Sequence, residues 1–426
     1  MNKILKHIAL AASCTTFLVG CEKYGDPVPA EYHNVALIKE SGNQDITLYT
    51  EVGEQGNFEY TVMKSGSEPE TVATIQTEIL TLEQLKEIGF TSIKLFPENL
   101  YTVNQTSFNL DGNNRYAKGS ITFKNDEVDA FLKTVEVNER DNYKVPLRIK
   151  STNATVNEEK SYFLLRPRLL KPSINYEVAT KEVTVDANGT EYDFFLQLPF
   201  ASPWDFECTI VSGTGANIPA DAYTIENEGK VVFTKGERRS KALKVKIKGE
   251  LLGKYTLPLK ISSITKAGIT LPTNDFMLTA VINKYPLTAS MLSTNAQEPT
   301  EGAIANLLDG NLTTYFHSAW SVAVAGVHNF MVTLPNEKTE FAFSYNNRQH
   351  TNGKAKVIKI LGSNDGGATW FDITTINSGL PTANGGGYDS GVIQSPKPFK
   401  KLRFDVTETQ AGSRYFCMSE FALYAK

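Results

Sequence analysis

Apolar and polar residues alternate along most of this chain, and this alternation limits its possible folds more than any other feature. Clear examples are residues 144–150 (KVPLRIK), 242–248 (ALKVKIK) and 400–406 (KKLRFDV). A period of two places the apolar side chains on one face of a half-buried strand. The sequence therefore predicts an all-β protein.

One segment departs from this pattern and predicts a helix. Thr81 and Gln84 have the spacing of a capping box, in which each side chain accepts a backbone N–H of the other residue. Leu82 and Leu85 line one face, and Gly89 can supply a left-handed C-terminal cap.

The first twenty residues predict an export signal. A basic start precedes an apolar stretch at residues 8–18, which is too short to span a bilayer. Residues 18–21 (LVGC) follow, and small residues before a cysteine are typical of a lipobox, at which the signal is removed and the cysteine is lipidated. The alternative is an ordinary secretory signal with an incidental cysteine. We expect Cys21 to be the lipid anchor.

Charge and cysteine content exclude several partners. Removal of the signal takes away Lys3 and Lys6 and no acid, which leaves 41 basic and 47 acidic residues and a net charge of −6. A mildly acidic chain argues against nucleic acid as a partner. Cys208 and Cys417 remain besides the anchor and fall in different predicted domains. Neither a disulfide framework nor a cysteine metal site is therefore predicted.

Two pairs of similar segments predict that the chain contains two related domains. Residues 96–103 (FPENLYTV) parallel 218–225 (IPADAYTI), and residues 143–149 (YKVPLRI) parallel 255–261 (YTLPLKI). The proline in each strand-like run cannot donate to a ladder, which favours an edge strand or a bulge. A tandem of β-sandwiches follows from these repeats.

The mature chain then divides into four predicted segments, since its length suits about three domains after a short tether. Residues 21–33 contain glycine and proline without an apolar period, which is typical of an extended segment of at most roughly 3.5 Å per residue. The segments are the tether 21–33, the first sandwich 34–170, the second sandwich 171–284 and the third domain 285–426.

The tandem resembles the immunoglobulin-like domain of unknown function found near the N-terminus of many surface lipoproteins of Bacteroides-type bacteria. The paired segments and the helix that leads into the first copy carry this resemblance. It implies two immunoglobulin-like β-sandwiches, which often precede a sugar-binding or sugar-cleaving domain. We expect them to act as a spacer or a docking platform.

The third domain resembles the coagulation-factor type C fold, also called discoidin. Three separated stretches carry the resemblance in the right order: residues 302–320 (GAIANLLDGNLTTYFHSAW), residues 360–366 (ILGSNDG) with Trp370, and residues 418–424 (MSEFALY). Within this fold, these stretches resemble family 32 carbohydrate-binding modules. The resemblance implies a discoidin-type jelly-roll β-sandwich that binds terminal sugars, of the galactose type or amino sugars.

An acidic turn in this domain predicts a structural calcium site. Calcium prefers six to eight oxygen ligands, and the turn offers the Asp309 carboxylate, the Thr314 hydroxyl and several carbonyls. The resemblance adds Glu420, and Asn311 stands where relatives often have aspartate. The alternative is a plain Asp-Gly turn with a surface glutamate.

A sugar site needs polar side chains that reach hydroxyls and an aromatic face that covers the apolar side of the ring. By resemblance, His317, Trp320 and Arg348 supply these roles. Further contacts are assigned to Asn352, Tyr415 and Phe416. Each residue has a structural alternative: Trp320 can be core, the other aromatics can be packing, and a lone histidine is more often structural.

We therefore expect a lipid-anchored, non-catalytic, glycan-binding protein of the outer membrane that faces outward in a glycan-utilisation system, beside transporter or hydrolase partners. The sequence contains no serine-hydrolase elbow, no HExxH zinc motif and no phosphate-binding loop. A glycosidase carboxylate pair stays open as an alternative. Another is a structural or adhesion component that binds a protein partner in an outer-membrane uptake complex.

The anchor can be tested directly. Because a lipidated cysteine is what would hold the mature chain on a membrane, Cys21→Ala should move the protein from the membrane fraction to the soluble fraction. Fractionation with and without detergent measures this. Unchanged, detergent-dependent fractionation of the variant would refute the prediction.

Overall fold

A computed structural model describes residues 28–426; the predicted export signal, Cys21 and most of the tether lie outside these residues. The chain forms two compact units, which divide between Lys171 and Pro172. Among the described residues, no helix has the length and apolar character needed to cross a membrane.

The first unit is a β-sandwich with two short helices. Its strands are β1 (Val35–Ile38), β2 (Gly42–Tyr49), β3 (Gly56–Ser65), β4 (Ala73–Ile79), β5 (Lys94–Leu95), β6 (Tyr101–Val103), β7 (Ser107–Leu110), β8 (Tyr116–Phe123), β9 (Tyr143–Ser151), β10 (Thr155–Val156) and β11 (Tyr162–Leu170), and its helices are α1 (Leu82–Glu87) and α2 (Asn125–Lys133). One sheet has the order β10-β1-β3-β8-β6 and the other β2-β11-β9-β4-β7, with β5 beside β9. Apolar residues from both sheets, including Tyr60, Phe123 and Phe163, form one core.

The predicted helix is α1, and its capping box is present. The Thr81 hydroxyl accepts from the Gln84 N–H at 3.3 Å, and Gln84 Oε1 accepts from the Thr81 N–H at 2.8 Å. Gly89 has a φ of +92°, the left-handed conformation expected of a C-terminal cap.

The second helix, α2, was not predicted. Its start carries no side-chain cap, since Lys124 occupies the N-cap position. Val128 and Leu132 are the buried apolar residues of its inner face, and they join the core of the sandwich. Two apolar residues without a cap are a weak helix signal, so packing against the sandwich stabilises this segment.

The prolines of the two repeated runs lie in inner strands, which corrects the prediction of an edge strand or a bulge. Pro146 is in β9, between β11 and β4, and Pro258 is in the corresponding strand of the second unit. Each proline lies one residue beyond the last residue pair that its strand forms with one of its neighbours, which is β4 for Pro146 and β16 for Pro258. At these positions the residue that follows the neighbouring strand donates to the proline carbonyl: the Leu80 N–H to Pro146 at 2.9 Å and the Gly213 N–H to Pro258 at 2.8 Å. The missing proline N–H therefore breaks no ladder bond.

The second unit begins with another sandwich. Its strands are β12 (Asn175–Tyr176), β13 (Thr180–Val185), β14 (Thr190–Phe194), β15 (Leu196–Gln197), β16 (Phe206–Ser212), β17 (Tyr223–Ile225), β18 (Lys230–Phe233), β19 (Leu243–Ile247), β20 (Gly253–Ile264) and β21 (Phe276–Ile282). The sheets have the orders β13-β21-β20-β16-β18 and β14-β19-β17, with the short pair β12-β15.

The repeated segments adopt the same local structure in both sandwiches. Pro97 (φ −59°) and Pro219 (φ −57°) each precede one turn of 3₁₀ helix. The tyrosine that ends each turn is extended, with φ of −144° at Tyr101 and −141° at Tyr223. Short strands then begin at both tyrosines, as the parallel sequences predict.

The rest of the second unit is a jelly-roll β-sandwich. Its strands are β22 (Leu292–Thr294), β23 (Phe316–His317), β24 (Asn329–Asn347), β25 (Ala355–Ser363), β26 (Phe371–Ile376), β27 (Gly387–Asp389), β28 (Ile393–Thr409) and β29 (Cys417–Tyr424). They follow the order β23-β29-β24-β28-β25-β26, with β22 and β27 also beside β24. The long strand β24 pairs with β28 through its first half and with β29 through its second half. Residues 28–426 are therefore mainly β, with two immunoglobulin-like sandwiches followed by a discoidin-type sandwich.

Asn283 joins the two sandwiches of the second unit. Its side-chain amide donates to the Gly249 carbonyl at 2.7 Å and to the Leu251 carbonyl at 2.8 Å, and its own carbonyl accepts from Ala425 N at 3.0 Å. Its φ of +55° is a left-handed conformation that asparagine tolerates better than most residues. Four buried side chains pack beside this junction: Leu252, Val281, Ala342 and Tyr424.

Candidate functional site

Three separate segments of the third domain meet at one end of its sandwich. The short strand β23 pairs with the start of β29, which places His317 opposite Cys417. Arg348 directly follows β24, and Asn347 at the end of β24 pairs with Met418. His317, Trp320, Arg348 and Tyr415 are thereby drawn from three segments to one surface.

His317 is held in one orientation. It is 5% exposed, and its Nδ1 lies 2.7 Å from the Ser318 carbonyl oxygen. Because that oxygen can only accept, Nδ1 donates its proton to it. The imidazole lies 5.2 Å from the Tyr415 ring and 6.5 Å from the Trp320 ring, centroid to centroid.

Trp320 is exposed but fixed, so it is not a core residue. The residue is 55% exposed. Its indole N–H donates to Glu301 Oε1 at 2.9 Å, and its backbone N–H donates to Glu298 Oε2 at 2.8 Å. A large aromatic surface therefore faces solvent in a defined position, which is the arrangement that stacking on a sugar ring requires.

Arg348 lies over an aromatic ring. Its guanidinium carbon is 3.5 Å from the centroid of the Tyr315 ring, a cation–π contact. The Tyr315 hydroxyl donates to Glu301 Oε2 at 2.6 Å. One carboxylate thus fixes both Trp320 and the tyrosine that carries Arg348. The bond from Tyr315 is the main cause of a lowered pKa at Glu301, against the opposing effect of burial.

Sequence reasoning missed Glu301 and Tyr315. Neither belongs to a motif that marks it, because Glu301 is one acidic residue in a polar loop (QEPTEG) and Tyr315 precedes a short strand. Their proximity arises only from the folded loops.

Glu298 organises the backbone of the Trp320 loop. It is 2% exposed and accepts from four groups: the N–H groups of Trp320 and Ser321, the Ser321 hydroxyl at 2.5 Å and the Thr300 hydroxyl at 3.2 Å. Burial alone raises its pKa, but these hydrogen bonds outweigh burial and lower the pKa to about 2. Glu298 is therefore a buried anion that the loop needs.

The remaining predicted contacts differ in accessibility. Phe416 is completely buried and packs edge-on against Phe316 with ring centroids 5.5 Å apart, so it leaves the candidate site as a core residue. Tyr415, by contrast, stays half-buried beside His317. Asn352 is exposed in the loop after β24.

The predicted metal ligands Asp309 and Glu420 also come together. Both accept the same Asn311 N–H, at 2.9 Å each, and Asp309 Oδ2 accepts from the Thr314 hydroxyl at 2.6 Å. Burial, followed by the neighbouring Asp309 carboxyl, raises the pKa of Glu420 to about 7. The Asn311 side chain instead accepts from the N–H and hydroxyl of Thr313.

Two carboxylates in contact fit a hard cation, although they would form only part of its ligand set. Residues 28–426 contain no group of three or more histidine, cysteine, aspartate or glutamate side chains placed to hold a metal ion. A bound calcium would therefore need hydroxyl, carbonyl or water oxygens besides Asp309 and Glu420.

Comparisons with protein families cover nearly all of the described chain. The profile of the F5/8 type C domain matches residues 288–421. A profile of an N-terminal domain matches twice in tandem, at residues 31–156 and 159–268. These two matches span 126 and 110 of the 426 residues, which is more than half of the chain. No curated protein matches.

Several solved structures are distantly similar. A family 32 carbohydrate-binding module from a family 31 glycoside hydrolase of Clostridium perfringens is 23% identical over 33% of this chain and 94% of its own, with a TM-score of 0.28. A family 32 module of NanJ from C. perfringens, solved with galactose, is 19% identical over 32% and 94%, with a TM-score of 0.26. A two-domain Bacteroides fragilis protein of unknown function is 12% identical over 60% and 94%, with a TM-score of 0.25. At these TM-scores, the three structures support no inference about this chain.

The pKa of Glu298 predicts an acid-sensitive loop. A carboxyl whose pKa falls from its ordinary 4.5 to about 2 on folding stabilises the folded state above pH 4.5, and this contribution is lost as the pH falls towards 2. Glu298→Gln should therefore lower the melting temperature at neutral pH and flatten its dependence on pH in that window. Thermal unfolding across the window measures this, with Asp372→Asn on an exposed strand as the control. Parallel curves for wild type and Glu298→Gln would contradict the prediction.

Proposed function

Since this chain belongs to the family whose N-terminal-domain profile matches it twice, and residues 288–421 match the F5/8 type C profile, we propose that it is a non-catalytic, lipid-anchored glycan-binding protein of the cell envelope. The observation that carries this proposal is Trp320, a tryptophan more than half exposed yet fixed through its indole N–H. A fixed indole that is more than half exposed suits the apolar face of a pyranose.

The polar groups around Trp320 suit the hydroxyls of a sugar. His317 offers its second ring nitrogen, Nε2, and the Arg348 guanidinium offers several N–H donors. Tyr415 adds a second aromatic surface next to His317. Because Glu301 and Glu298 fix this surface before a ligand arrives, binding costs little side-chain entropy.

The carboxylates of this surface favour binding over hydrolysis. Glycosidases need one carboxyl with a raised pKa as the acid and a second one free to act on the sugar. Hydrogen bonds occupy both oxygens of Glu298 and of Glu301 and lower the pKa of each. Neither residue suits a general acid, which supports a non-catalytic role for this surface.

We place the protein in the outer membrane, facing outward, with lipidated Cys21 and the tether holding the domains away from the surface. The ligands would be terminal sugars of larger glycans, of the galactose type or amino sugars. The two immunoglobulin-like sandwiches would serve as a spacer, or as a docking platform for transporter or hydrolase partners. Dense display of such a protein compensates for weak single-site affinity through avidity.

Calcium would stabilise the third domain by linking its first loop to its last strand. Asp309 and Glu420 would hold the ion, with Thr314 and backbone oxygens of the turn as further ligands. The raised pKa of Glu420 fits this role, since burial and the neighbouring Asp309 carboxyl both disfavour the charged form of Glu420. A divalent cation would relieve that repulsion.

Substitution of the exposed site should abolish binding without unfolding the domain. Trp320→Ala and Arg348→Ala each remove an interaction of about 1 to 3 kcal/mol. Against a dissociation constant of about 0.1 to 1 mM, that loss erases measurable monovalent binding. A glycan array of the mature chain, followed by calorimetry on its best ligand, measures the effect. Tyr116→Ala, which removes an exposed aromatic residue of the first unit, is the control.

Three results would contradict this prediction. A lowered melting temperature of the third domain in either variant would make that residue structural. Normal binding by both variants would place the site elsewhere. No sugar-competable binding across the array would instead favour the alternative in which this domain binds a protein partner of an uptake complex.

The calcium proposal predicts that a chelator destabilises the protein. An ion that binds only the folded state stabilises it by about 2.7 kcal/mol at a hundredfold excess over its dissociation constant. Chelator should lower the melting temperature of calcium-loaded protein, and Asp309→Ala should remove this response. Asp372→Asn is the control. Equal melting curves of metal-free and calcium-loaded wild type would refute the proposal.

A further inference from the structure

The second unit contains a polar cleft whose lining includes neither Trp320 nor Arg348. It has a volume of about 370 Å³ and lies where the third domain meets the preceding sandwich. One wall is the outer face of strands β24, β27 and β29, and the other wall belongs to β13 and β20. Its charged side chains are Asp389 and Glu420, the candidate calcium ligand, on the first wall and Glu182, Lys254 and Lys284 on the second.

Strand alternation explains why this wall is polar. Phe343 and Tyr345 of β24 belong to the core of the third domain. Successive side chains of a strand point to opposite faces, so Ser344 and Asn346 point outward into the cleft. The packing of Phe343 and Tyr345 into the core therefore determines that Ser344 and Asn346 line the cleft.

Hydrogen bonds and one ion pair partly organise the cleft. Lys254 Nζ lies 3.1 Å from Glu182 Oε2, and the Ser344 hydroxyl lies 3.3 Å from the Tyr424 hydroxyl. Within residues 28–426, Asp389 has no cation within the 4.0 Å of an ion pair, although Lys254 lines the same cleft. Asp389 is therefore an acceptor at the rim whose charge no side chain neutralises at contact distance.

The mixture of charged and hydroxyl groups in the cleft indicates which class of ligand it can bind. Carboxylates and ammonium groups both line the cleft, so a ligand with strong charge of either sign would meet repulsion. Hydroxyl groups both donate and accept, and a polyhydroxylated ring can therefore bond to Asp389, Lys254 and the two hydroxyls at once. The volume lies at the lower end of the range typical of small-molecule sites, which suits one sugar residue.

We propose that this cleft is a second carbohydrate subsite, which takes one neutral sugar residue between the second sandwich and the third domain. It goes beyond the surface site at Trp320, although it shares with the proposed function the premise that the protein binds glycans. Side chains from two domains contribute to it, so neither domain alone would form it.

The test uses the mature chain made soluble by Cys21→Ala and carrying Trp320→Ala to disable the first site. The probes are galactose, N-acetylgalactosamine, glucose, mannose and fucose at millimolar concentration. Saturation-transfer NMR should detect binding of at least one of them. Adding Asp389→Asn with Lys254→Met should weaken that binding at least about tenfold, because two polar contacts are lost. Adding Asp372→Asn with Lys359→Met, another exposed acid–base pair in the third domain, should leave it unchanged.

The outcomes separate this inference from the proposed function. If wild type binds a sugar and Trp320→Ala abolishes all binding, the cleft is no subsite and the proposed function stands. If binding survives Trp320→Ala but does not respond to Asp389→Asn with Lys254→Met, the inference is also overturned. If the cleft substitutions alone abolish binding in the wild-type background, the cleft is the site and the assignment of Trp320 is wrong. If no probe binds any variant, the inference fails, and the glycan array decides the proposed function separately.

Discussion

The pairing of the last strand, Cys417–Tyr424, determines where the functional features of the third domain lie. Its first residues pair with Phe316–His317, its middle pairs with the end of β24, and Glu420 reaches the turn at Asp309. Its last residues meet the preceding sandwich through Tyr424 and Ala425. One strand therefore contributes to the candidate sugar surface, the paired carboxylates and the interdomain cleft. A shift of its register by one residue would exchange its two faces and separate all three.

Two acidic side chains then give the sugar surface its fixed geometry. Glu298 binds the backbone of the loop, and Glu301 binds the side chains of Trp320 and Tyr315. The hydrogen bonds that each carboxylate accepts stabilise its ionised form more than burial destabilises it, as the lowered pKa of both groups indicates. An exposed indole thereby keeps one orientation without being packed into the core.

Much of the fold could be predicted because it depends on local patterns. Alternation gave the strands, the capping box at Thr81 gave α1, and the repeated segments gave two related sandwiches with matching turns at Pro97 and Pro219. The prediction that the prolines of the repeated runs lie in edge strands or bulges was wrong. An inner strand tolerates a proline where the neighbouring strand has already ended, and the sequence of one strand does not show where its neighbour ends. The weak helix α2 was missed because the sandwich, rather than its own caps, stabilises it.

The sequence by itself determined the strand periods, the helix cap, the internal repeat and the residue types near His317 and Asp309, since each is a property of neighbours along the chain. Only the tertiary structure decided which of these side chains meet. It buried Phe416 while exposing Trp320, brought Glu301 to Tyr315, and turned the Asn311 side chain towards Thr313. These outcomes depend on contacts between loops distant in sequence, and a loop carries no periodic pattern that fixes the direction of a side chain before the sheets have paired.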